Sequence, residues 1–129
     1  MINVVGIGPG DIKMLTYEAK KAIEDSAVII GYKTYIKLIE ELISDKEIVT
    51  NGIKQEINRC KEAIEIANTG KNVAVISSGD AGVYGMAGLI LELLDVEKSD
   101  MKVNIIPGVT ASTAAAALLG SPLMHDYCH

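Results

Sequence analysis

Short β-branched runs alternate along the chain with longer stretches whose apolar residues recur at helical spacing. The runs 2–5, 27–30, 47–49, 72–76 and 102–106 predict five strands, most of them apolar throughout, as strands covered on both faces should be. Helices are expected between them. Thr16 is placed to cap one that runs to Asp25 with Ala19, Ala22 and Ile23 inward, and residues 34–43 predict a second carrying Ile36, Leu38, Ile39, Leu42 and Ile43. Ile53, Ile57, Cys60, Ile64 and Ala67 mark a third, with Gly70 where a helix of that register would stop. Residues 84–94 and 110–119 supply two more. Strand-helix units in this order wind into a parallel sheet, so the expected fold is α/β, a five-stranded mainly parallel sheet with helices on both faces.

Length and composition narrow the classes. At 129 residues and 49% hydrophobic the chain is enough for one domain with a single core. The net charge of -5 and a single arginine, Arg59, leave no basic stripe for a nucleic-acid backbone, so no nucleic-acid partner is expected. Cys60 and Cys128 are too few for a disulfide framework, which fits a reducing, cytoplasmic setting. The apolar stretch 105–124 is interrupted by Pro107, Gly108, Gly120 and Pro122, and Gly-Pro-Gly-Asp follows the apolar start at once, so neither a membrane span nor a signal peptide is expected. Residues 1–120 read as the domain, and 121–129 (SPLMHDYCH) as the start of a connection to a second domain.

In an open parallel sheet ligands bind beyond the carboxyl ends of the strands. The clusters 6–11, 31–35, 50–52, 77–85 and 107–112 all fall on that edge, and 77–85 (SSGDAGVYG) reads as a nine-residue glycine-rich loop that lets a ligand approach the backbone. A dinucleotide fingerprint fails on spacing, because the third glycine would have to stand at Asp11 or Lys13, and no phosphate-loop motif occurs. A cationic or zwitterionic ligand with a nucleoside part tolerates acidic loops better, and S-adenosyl-L-methionine meets that description. His125 and His129 have a spacing that can bind metal but lie in the tail and read as a solvated pair, so no metal is expected. Ser77 and Ser78 lack a nucleophile elbow.

With these loops in view, VGIGPGD followed by LT, SSGDAGVYGMAG and PGVTA stand in the order and spacing of the tetrapyrrole methylases, which the chain resembles over essentially its whole length. GYKTYI, SSGDAGVYGMAGL and LLGSPLMHDYCH look like the subgroup that methylates C17 of precorrin-3B or cobalt-precorrin-3 in cobalamin biosynthesis, with ring contraction. The resemblance implies two α/β domains with the cofactor, S-adenosyl-L-methionine, in the cleft between them, the tetrapyrrole substrate over it, and a homodimer for the full-length enzyme. It carries cofactor contacts to Pro9, Ser78, Gly79, Asp80, Val83, Thr110 and Ala111; Tyr32, Lys33 and Tyr84, at the same sheet edge, are the expected substrate contacts. Lys54 is a further cation for substrate carboxylates. Asp80, Asp126, His125 and Tyr32 are all available to move a proton during ring contraction, and no catalytic residue is chosen among them. Ile53, Ser121 and Tyr127 depart conservatively from the residues relatives often carry. The alternatives are a methylase of another tetrapyrrole position, a truncated binding domain without catalysis, and a nicotinamide-dependent oxidoreductase; the 129 residues alone are expected to be inactive.

Overall fold

The computed structural model describes residues 1–8, 15–52 and 55–108. The expected helix over 110–119 and the tail lie outside them. Five strands, β1 (Ile2–Gly6), β2 (Val28–Tyr32), β3 (Glu47–Asn51), β4 (Val73–Ser77) and β5 (Val103–Ile106), form one sheet in the order β3-β2-β4-β1-β5, and every ladder is parallel. The helices are α1 (Tyr17–Asp25), α2 (Lys33–Leu38), α3 (Glu56–Ala67) and α4 (Asp80–Val96). β1 and β4 are buried at every position, as their unbroken apolar runs require, while β3 and β5 are the half-exposed edges.

The chain first moves outward from β1 through β2 to β3, then returns through β4 to β5 on the far side of β1. A right-handed crossover puts its helix on one face when the chain moves in one direction and on the other face when it moves back. Two cores result. Val5, Ile7, Ile29, Ala74 and Ile76 pack against Ala19, Ala22 and Ile23 of α1 and against Ile36, Ile39 and Ile43. Ile2, Val4, Val28, Ile30, Val73 and Val75 pack on the opposite face against α3 and α4. The fold class and the alternation of elements are as the pattern predicts, and Thr16 caps α1, its Oγ1 accepting from the Ala19 amide at 3.1 Å.

Three expectations need correction. The helix over 34–43 is broken: α2 stops at Leu38, and a 3₁₀ turn (Glu40–Leu42) follows, with the Ile39, Leu42 and Ile43 amides each bonding a carbonyl three residues back. The tighter winding keeps Ile36, Ile39 and Ile43 buried together and leaves Leu38 exposed. The stripe of α3 is Arg59, Cys60, Ala63, Ile64 and Ala67, and Ile57 is 55% exposed. Ile57 sits in the first turn of α3, and Ile53 lies outside the described residues. Residues 77–85 are not a nine-residue loop either: Ser78 and Gly79 alone connect β4 to α4, which begins at Asp80.

Candidate functional site

β4 is the strand on which the two directions of winding meet. Its helix, α4, leaves on one face, whereas the helices after both of its neighbours, β1 and β2, leave on the other. Two crevices therefore open at the carboxyl edge, one on each flank of β4.

The β1/β4 crevice is built from backbone. Gly6 pairs with Ser77, the Ile7 amide donates to the Ser77 carbonyl at 3.0 Å, and Gly8 then turns with φ +78°, a conformation that favours glycine. The segment after β5 closes on the same point: a Cβ on Gly6 would lie 2.7 Å from the Gly108 nitrogen and 2.6 Å from Val83 Cγ2, and one on Gly108 would lie 2.7 Å from the Gly6 carbonyl oxygen. The connections after β1, β4 and β5 thus converge. Gly79, the residue before α4, has extended backbone, carries no side-chain cap and has open space where a Cβ would be. The first-turn amides of a 17-residue helix, with its positive dipole end, stand beside that opening.

Of the residues named from sequence, Gly79 lies at this crevice, Ser78 lines the cavity on the other flank of β4, and Asp80 is the first residue of α4. Val83 is fully buried against Gly6, so its side chain belongs to the core beneath the crevice. Tyr84 is exposed on α4. Tyr32 ends β2 and meets Tyr35 edge-to-face at 5.4 Å. Lys33 lines a different cleft, with Lys37, Glu40 and Ile48 at the β3 edge. Pro9, Lys54, Thr110, Ala111, His125 and Asp126 lie outside the described residues.

The β2/β4 crevice holds a cavity of about 330 Å³, walled by Tyr35 and Arg59 and by Ser78, Gly82, Gly85 and Met86 of the SSGDAGVYGMAG segment, among others. Gly82 lets α4 settle onto the end of β4, since a Cβ there would lie 2.6 Å from Ser77 Oγ. Arg59 is 6% exposed, and its Nη2 donates to the Gly52 carbonyl at 3.3 Å. The signal that could have found it is its position in the third helix: a lone arginine next to Cys60 and four residues before Ala63, on the side that must be buried. Burial pushes the neighbouring Cys60 thiol up to about 11, against the pull of Arg59 and helped by Glu56, so Cys60 is a neutral core residue at ordinary pH. Among the described residues no helix is long and apolar enough to cross a membrane.

Known proteins share this fold. A probable cobalt-factor III C(17)-methyltransferase of Salmonella typhimurium is 55% identical over the whole chain, which covers 54% of that protein. The crystal structure of the methyltransferase CobJ superposes with a TM-score of 0.84 at 36% identity, covering 98% of this chain and 54% of that one. A uroporphyrin-III C-methyltransferase of Thermus thermophilus, crystallised with S-adenosylhomocysteine, gives 0.72 at 28% identity over 96% of this chain and 53% of its own. The chain therefore spans about half the length of these relatives. All of residues 1–129 match the family described as Tetrapyrrole (Corrin/Porphyrin) Methylases, and with the doubly wound sheet and the converging glycine connections of its carboxyl edge the chain belongs to that family.

Proposed function

We propose that this chain is the N-terminal, cofactor-binding half of an S-adenosylmethionine-dependent methyltransferase of cobalamin biosynthesis that methylates C17 of precorrin-3B or cobalt-precorrin-3, with ring contraction. The observation that carries this reading is the 55% identity, over the whole chain, to the Salmonella protein. In this proposal residues 1–120 form the domain and 121–129 begin the connection to a second one; the complete enzyme is a cytoplasmic homodimer.

The β1/β4 crevice suits the cofactor. Glycines bring three stretches of backbone to one point and leave open space beyond Gly79, which gives a flat ligand edge room against amides and carbonyls. The amino end of α4 favours a carboxylate such as that of the methionine part. A chain of net charge -5 suits a cationic sulfonium better than a pyrophosphate. In the proposal Pro9, Ser78, Gly79, Asp80, Thr110 and Ala111 make the cofactor contacts, with Val83 acting from beneath as a packing wall. Tyr32, Lys33 and Tyr84 remain the proposed substrate contacts, Lys33 from the neighbouring cleft.

When bound, the cofactor supplies an electrophilic methyl group, which a nucleophilic ring carbon takes as the carbon-sulfur bond breaks. The protein's part is alignment: holding donor and acceptor carbons in line and placing dipoles where the sulfonium charge disappears. Equilibrium dialysis of the chain against S-adenosylhomocysteine and against NAD tests the assignment. Retention of the first and not the second is expected; retention of NAD with no S-adenosylhomocysteine would reject it.

A further inference from the structure

Arg59 is the molecule's single arginine, and it is inside. A guanidinium does not lose its proton in a protein, so the charge is carried into the wall of the β2/β4 cavity. There, among the described residues, its Nε is buried with no hydrogen-bond partner, and Nη2 donates to the Gly52 carbonyl. The ion pair among the described residues is Lys71–Glu47, on the surface; Glu56 also lines the cavity, but no described carboxylate lies within ion-pair distance of Arg59. A buried cation left in that state is costly unless an anion completes it. The rest of the wall is suited to hold one: Ser78 and Ser77 offer hydroxyls, Tyr35 an aromatic face, and Gly82 and Gly85 leave room.

We infer that Arg59 is a carboxylate anchor, binding an acidic group of a ligand that lies across the carboxyl ends of β2 and β4. The inference rests on the methyltransferase reading only for the choice of ligand. Two sources share the chemistry: a peripheral carboxylate of the tetrapyrrole, and the carboxylate of the methionine part of the cofactor. In the proposed function both lie at this edge, and the Nε–H that has no partner among the described residues is the donor a carboxylate takes side-on.

Because Arg59 is the only arginine, the ¹⁵N-labelled chain has one arginine Nε–H resonance to follow. Titration with uroporphyrin III, with S-adenosylhomocysteine and with glutarate separates the sources. A carboxylate probe is expected to move that resonance downfield and slow its exchange with water. Arg59→Gln should weaken the same probe by about tenfold to a hundredfold, with Arg59→Lys recovering part of the loss. If uroporphyrin or S-adenosylhomocysteine binds, seen at the Gly79 amide, while the Nε–H stays where it was, the anchor is overturned and the functional reading stands. If glutarate moves the Nε–H and neither larger probe binds, the anchor stands and the functional reading fails. A resonance that no probe moves, or one already shifted in the free chain by an internal carboxylate, overturns the inference; this readout needs no variant to fold.

Discussion

Gly6 and Gly108 meet backbone to backbone, and no side chain can be added to either without moving a strand end. Gly6→Ala should therefore destabilise by ~1–3 kcal/mol in urea denaturation. Gly88→Ala should stabilise by ~0.5–1 kcal/mol, because Gly88 lies inside α4 with nothing within 4 Å of its would-be Cβ. Both glycines come from motif segments, and sequence alone does not separate the one that fits a contact from the one that fills a helix position. Cys60 offers a titration of the same kind. Its thiol is raised by burial from 9.0 to about 11 in the fold, so the contribution is present below pH 9 and is lost as pH rises through 11. Stability measured between pH 8 and 11 should fall more steeply for the native chain than for Cys60→Ala, and equal slopes would show that the thiol is not desolvated.

The strands at the centre of the sheet are legible in the sequence because both faces need apolar residues, and a continuous run such as 73–76, bounded by polar turns, is too short for a buried helix. The start of α4 is not legible, because three glycines among serines read as a loop. What the pattern lacks is the partner surface: Gly82 is small because Ser77 stands beneath it, a contact between β4 and α4 that periodicity does not encode. Gly82→Ala should weaken the fold, and adding Ser77→Ala should restore part of the loss, because the nearest remaining neighbour of the new Cβ is then Ser78 Oγ at 3.3 Å. A double-mutant cycle in denaturant measures it; strictly additive losses would mean that helix and strand do not touch there. Arg59 escapes a reading of the sequence for a related reason, since one cation at a buried position leaves a helical period almost unchanged.

At the scale of the whole molecule, the reversal of winding at β4 sets where chemistry can occur. It opens the β1/β4 crevice, lined by glycine backbone, and the β2/β4 crevice, lined by Arg59. In the proposed function, this chain, which spans about half the length of its relatives, offers one wall of a site that a second domain completes. Contacts worth ~4 kcal/mol on the other wall would change affinity about a thousandfold. A chimera that continues after His129 with the second half of the Salmonella relative should therefore bind S-adenosylhomocysteine far more tightly than the 129 residues alone. Whether the cofactor sits in the β1/β4 crevice is decided by an amide NMR titration of this chain with S-adenosylhomocysteine, repeated on Gly79→Leu, whose new side chain enters open space and leaves the fold intact. Shifts at Gly6, Gly8 and Gly79 that disappear in the variant are expected; undiminished binding by Gly79→Leu, or shifts confined to the amino edge of the sheet, would contradict the placement.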